Sequence, residues 1–66
     1  MLVYVLLGEF DCQGSVCTSI IAVKPLEQDC LDIAQSFSDV QKQMDGWDNF
    51  LIQEWTEFGC QNEYQV

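Results

Sequence analysis

The sequence predicts an α+β domain of order ββαβ: a three-stranded, mainly antiparallel sheet with strand order 2-1-3 and one helix packed on one face. Three observations carry this expectation. Two β-branched runs flank a short turn that holds a glycine. A helical apolar stripe follows, and a third apolar run closes the chain.

Residues 2–10 begin the fold, with the β-formers Val3, Tyr4, Val5 and Phe10. The first half of this run is apolar on both alternating faces, as in a strand covered on both sides and central in its sheet. Residues 11–15 supply turn chemistry around Gly14. Residues 16–23 form a second β-branched run (Val16, Thr18, Ile20, Ile21, Val23), so the two strands read as a hairpin.

Pro25 suits the first position of a helix, where its missing N–H costs nothing. Glu27 and Asp29 follow in the early turns, where negative charge suits the helix dipole. Leu26, Cys30, Ile33, Phe37, Val40 and Met44 recur at steps of four and three. At helical pitch they gather into one stripe, the mark of a helix with a single buried face. Lys42 lies near its C-terminal end, and Gly46 suits the position just past it. Such a helix of about four and a half turns returns the chain so that strand three runs antiparallel to strand one. That strand is expected over residues 49–58, through Phe50, Leu51, Ile52, Trp55 and Phe58. From Gln61 onward the chain is polar and is expected to fray.

All 66 residues fit one domain, near the lower limit for a chain that folds alone. A single helix covers one face of this sheet, yet strand one is apolar on both. Tyr4, Leu6 and Phe10 share one side and Val3, Val5 and Leu7 the other. An uncovered apolar face marks an interaction surface, and a homodimer through sheet packing is the simplest way to cover it. The alternative is that Trp47, Trp55 or the C-terminal tail folds over that face.

Charge is the extreme feature. Eleven Asp and Glu stand against two lysines, Lys24 and Lys42, for a net charge of −9, with neither Arg nor His. Such a chain repels nucleic acid and anionic membranes, because phosphate binding needs cations. It is drawn instead to basic protein surfaces, with strong salt dependence. Acidity that only keeps a small protein in solution is the plain alternative. The longest apolar run, residues 1–7, is far short of a membrane span. With no targeting segment, the cytoplasm is the expected location.

Catalysis has little to work with. Without His or Arg there is no general acid–base group tuned to neutral pH and no fork to orient a carboxylate or phosphate. The four glycines are isolated, so no phosphate loop is formed. The four cysteines lack a His or cationic neighbour of the kind that activates a thiol. No enzyme and no cofactor is expected. Free thiols are expected too, with Cys30 a core residue and Cys12 and Cys17 placed to meet across the hairpin. A Cys₄ zinc site needs two tight pairs, and only Cys12 and Cys17 come near that spacing. Asp45 and Asp48 around Gly46 lack the remaining ligands of a calcium loop, so they read as a helix end and turn.

The acidic side of the helix is more informative. Opposite the apolar stripe lie Asp32, Gln35, Asp39 and Gln43, with Asp29 at the edge, and Asp45, Asp48, Glu54 and Glu57 extend the field beyond it. Helices in water ordinarily mix both signs to gain i,i+4 pairs, and this one forgoes them.

In size, charge and hairpin–helix–strand plan, with these carboxylates, the chain resembles small phage-encoded inhibitors of bacterial defence, the anti-CRISPR and anti-restriction proteins. The opening Tyr4-Val5-Leu6-Leu7-Gly8-Glu9-Phe10 also resembles small bacterial and phage ββαβ domains. The first resemblance implies a nucleic-acid mimic acting by competitive occlusion in the host cytoplasm. Asp29, Asp32, Asp39, Asp45, Asp48, Glu54 and Glu57 would then engage Lys and Arg of a nucleic-acid-binding enzyme or complex, with exposed aromatics as anchors. The rival expectation is a small adaptor or subunit that binds a protein partner, or itself, through the apolar sheet face.

Overall fold

A computed structural model describes every residue except Ser38 and Asp45, and for Asp39 the backbone alone. The elements run β1 (Val3–Cys12), β2 (Ser15–Lys24), α1 (Glu27–Ser36), α2 (Asp39–Met44), β3 (Asn49–Thr56) and β4 (Gly59–Gln65). All pairings are antiparallel, in the order β2-β1-β3-β4. The α+β class therefore holds, and the expected 2-1-3 order is present inside a longer sheet. Four strands and two helices replace the three strands and one helix read from the sequence.

The first hairpin closes through a two-residue loop, since Cys12 pairs with Ser15. Gln13 and Gly14 both take positive φ, at 52° and 88°. This is the backbone of a type I′ turn, whose twist matches that of the flanking strands. The Asp11 carboxylate accepts the Gly14 N–H at 3.2 Å.

Further along, β2 bulges where its register against Leu6 and Leu7 shifts, leaving Ile21 as the extra residue. Ile21 and Ala22 both pack toward the helix. The bulge also resets the alternation, so Val16, Thr18, Ile20 and Val23 all lie opposite β1 residues of the face turned away from the helix.

The helix departs most from expectation. It begins at Glu27, with Leu26 as an extended N-cap at φ −123°, so Pro25 lies before the helix rather than at its first position. It then ends at Ser36, because Phe37 is extended at φ −81° and ψ 126°. Two local contacts accompany the break. The Ser36 hydroxyl donates to the Ile33 carbonyl at 2.6 Å, a side-chain bond that competes with the helix ladder. The Phe37 ring packs on Phe50 at 5.2 Å between centroids. The expected stripe is thus cut. Cys30 and Ala34 are buried, while Val40 and Met44 of α2 are 67% and 81% exposed.

Helix α2 closes with a Schellman pattern. The Trp47 N–H donates to the Lys42 carbonyl at 2.8 Å and the Gly46 N–H to the Gln43 carbonyl at 3.1 Å, with Gly46 at φ 82°.

The segment expected to fray is strand β4, hydrogen-bonded along β3 and joined to it by the Glu57–Phe58 turn. The result is a slab of 34 × 26 × 14 Å with two layers. Leu6, Cys30, Ala34, Phe50 and Ile52 form the dry core between α1 and the sheet.

Candidate functional site

Because paired antiparallel residues share a face, the registers assign every strand residue to one of two sides. Tyr4, Leu6, Gly8 and Phe10 of β1 face the helix side with Phe50, Ile52 and Glu54 of β3 and Tyr64 of β4. Val3, Val5, Leu7 and Glu9 face the open side with Leu51, Gln53 and Trp55.

The helix side holds the acidic residues of α1. Asp32 is exposed and accepts a 2.9 Å hydrogen bond from the Gln28 amide, and Asp29 is half-buried. Glu54 stands opposite Tyr4 on the same side. Near it the Tyr64 hydroxyl donates to the Glu27 carboxylate. Burial, reinforced by the bond to Glu27 and by the charges of Glu27 and Glu54, pushes the Tyr64 phenol far above its usual range. Glu27, read in the sequence only as a dipole-complementing residue, therefore belongs with Glu54 in this cluster. Its partner Tyr64 carries no signal in the sequence, because β4 has no alternating apolar pattern.

The other predicted carboxylates lie elsewhere. Asp48 is at the entry to β3, where its N–H donates to the Glu9 carbonyl at 2.7 Å and its carboxylate accepts the Asp11 N–H at 3.2 Å. Glu57 is at the opposite end, in the β3–β4 turn, where it pairs with the N-terminal amine at 2.5 Å. That amine holds the Glu57 carboxyl below its usual value. Strand β3 lies between Asp48 and Glu57, about 25 Å of extended chain. These carboxylates thus form a field over one side and both ends of the slab, and no single pocket gathers them. Asp45 and the side chain of Asp39 fall outside the described residues.

Cations do little to balance this field. Among the described residues the only ion pair is the one at Glu57. Lys42 places its ammonium 5.5 Å from the centre of the Phe50 ring. Lys42, Gln43, Trp47 and Asp48 line an open depression of about 230 Å³, below the roughly 300 Å³ at which ligand pockets begin. Trp47 lies across the backbone at Gly8 and edge-on to Phe10, with centroids 5.7 Å apart. It therefore covers the helix side, and the C-terminal tail forms an edge strand, whereas Trp55 does lie on the open face, opposite Val3.

The open face divides into two halves. On β3 and β4 it carries a polar ladder. The Asn49 amide donates to Glu9 at 3.2 Å and Gln65 to Asn49 at 2.9 Å. Trp55 Nε1 donates to Gln53 at 2.8 Å, and Gln53 in turn donates to Glu63. On β1 and β2 it is apolar at Val3, Val5, Leu7, Ile20 and Val23, and Glu9 and Asp11 follow on the same face toward the Gln13–Gly14 turn. Val5 and Leu7 are buried by their cross-strand neighbours, while Val16, Ile20 and Val23 are 70%, 65% and 55% exposed. This half was partly legible in the doubly apolar β1. The bulge that adds Val23 to it was not.

The thiols are unpaired, with Cys30 buried and its Sγ 3.6 Å from the Tyr4 carbonyl. Cys12 and Cys17 are diagonal neighbours on the helix side, and a hydrogen bond with Cys12 raises the Cys17 thiol above its ordinary value.

Fold and surface define a small α+β domain with one acidic layer and one open, half-apolar sheet face. No protein-family model, curated protein or solved structure matches the chain. Among the described residues no helix is long and apolar enough to cross a membrane.

Proposed function

We propose that this chain is a non-catalytic binding domain that lays its acidic helix side against a basic protein surface and thereby occludes a nucleic-acid-binding site. The observation that carries this reading is the excess of unpaired carboxylates there over Lys24 and Lys42, which lie on the same side. Asp29, Asp32 and Glu54 share the helix side, and no lysine pairs with them among the described residues. Carboxylates held on a rigid two-layer slab present a field that a Lys- or Arg-lined channel complements, with fast, salt-sensitive association. Phe58, 86% exposed beside Glu57, offers an aromatic anchor of the kind that concentrates binding energy. The sharper form of the proposal, an anti-CRISPR or anti-restriction inhibitor of phage origin, rests on size and charge.

The test is capture of partners from a bacterial lysate on the immobilised protein, eluted in turn with salt and with duplex DNA. The expected eluate is a basic nucleic-acid-binding protein released by both. The double substitution Asp29→Lys, Asp32→Lys should lower its capture by about tenfold or more, since each rim charge is worth on the order of 1 kcal/mol. A partner that resists salt and ignores DNA would refute occlusion.

A further inference from the structure

We infer that Cys12 and Cys17 form a dithiol site at the tip of the first hairpin. There a low-molecular-weight disulfide oxidises them to an intramolecular bond that staples β1 to β2. The inference does not rest on the acidic reading. Three observations carry it.

The first is contact. Cys12 pairs with Ser15 and Cys17 with Phe10, so the two cysteines are diagonal neighbours on one face. Diagonal pairs ordinarily stand at the limit of what a disulfide spans. Here the two thiols already share a hydrogen bond. What remains is side-chain rotation and a small shift of the tip.

The second is room for that shift. The β1–β3 ladder ends at Glu9 and Asn49, while β1 and β2 stay paired out to Cys12 and Ser15. Residues 10–17 therefore leave the four-stranded sheet as a two-stranded ribbon. Such a ribbon takes up more twist than strands inside a sheet, and twist is the coordinate along which diagonal neighbours close.

Isolation is the third. Cys12 is exposed and Cys17 half-buried, so a reagent reaches the pair from solvent. Cys30 is buried in the core, and Cys60 lies opposite Trp55 at the Val3 end of the sheet. Val3 and Cys12 bound a strand of 10 residues, about 30 Å of extended chain. Neither of the other thiols competes for the pair within one copy.

The chemistry balances as two thiol–disulfide exchanges. Cys12 gives its proton to water, and its thiolate attacks one sulfur of the reagent; the other half leaves and takes up a proton. Cys17 then loses its proton, attacks the Cys12 sulfur of this mixed disulfide and expels the second half. Two protein thiols are oxidised, and one disulfide is reduced to two thiols. The hydrogen bond with Cys12 and burial hold the Cys17 thiol above its ordinary value. A reduced form that gains little from ionisation leaves the disulfide harder to reduce.

Mixtures of oxidised and reduced glutathione, applied to the whole chain and read by mass spectrometry, test this. In Cys60→Ser, which removes the remaining exposed thiol, the expected product loses two hydrogens and links Cys12 to Cys17. Its yield should not depend on protein concentration. Its denaturant midpoint should lie above that of the reduced chain, because the closed ring restricts the unfolded state. Adding Cys17→Ser should halt the reaction at a glutathione adduct on Cys12, with no gain in midpoint. The inference is overturned if that adduct also persists with Cys17 present, or if the native chain links through Cys60 or between two copies. An oxidised chain whose midpoint is unchanged or lower also overturns it, since the bond would then strain the ribbon and not staple it.

Discussion

The two sides of this sheet are built from similar residues but treated differently by the fold. On the helix side, Leu6 and Ile52 are fully buried under α1 and make the core. On the open side, one residue along each strand, Val5 and Leu7 are covered only by their strand neighbours, and Val16, Ile20 and Val23 face water. Hydrophobicity alone does not distinguish the sides. What separates them is a single layer of helix, and a layer that covers one side leaves the other available.

Substitutions weigh that difference. Leu6→Ala and Ile52→Ala should each cost about 2–5 kcal/mol in chemical denaturation, since both leave a cavity in a packed core. Val16→Ala, measured in dilute solution, should stay within about 0.5 kcal/mol, as for an ordinary surface position. Equal costs would mean that the open side is covered as well.

Gly8 gives the next effect. A Cβ there would stand 2.2 Å from the Trp47 ring, so Gly8→Ala should cost about 1–3 kcal/mol through overpacking. Tryptophan fluorescence should report the displaced indole. An unchanged spectrum would mean that Trp47 does not rest on β1.

The smallest effect tests how β4 is tied to the helix. Tyr64→Phe removes the bond to Glu27 and should cost about 1 kcal/mol at neutral pH. The folded protein holds this phenol above its unfolded value. Its contribution is therefore whole below the unfolded pKa of about 10 and is lost as pH rises through the folded one. The denaturant midpoint of the native chain should therefore fall as pH is raised past about 10, and that of Tyr64→Phe should fall less.

The first hairpin was legible because β-branched residues and a turn containing glycine are local signals. Strand β4 was not, because its sequence Gly-Cys-Gln-Asn-Glu-Tyr-Gln has no alternating apolar pattern. It belongs to the sheet through backbone bonding to β3, and only Tyr64 reaches the core. The helix break at Phe37 was masked by the residue itself. Phe37 fits a helical stripe by spacing, yet it is half-buried by packing against Phe50 outside the helix. The acidic residues could be named one by one from the sequence. Their spread over one side and two ends depended on strand registers that composition does not encode.

The two hairpins have one further consequence. β1–β2 and β3–β4 are each closed by a two-residue loop, so their contacts join residues near in sequence. The sheet is otherwise joined at the β1–β3 seam, where Glu9 and Asn49 lie 40 residues apart. Closing that seam carries most of the loop entropy in the fold, a cost that grows only with the logarithm of the intervening length. The connector through α1 and α2 can therefore end one helix and start another at little cost to closure, because the seam depends on where its ends arrive.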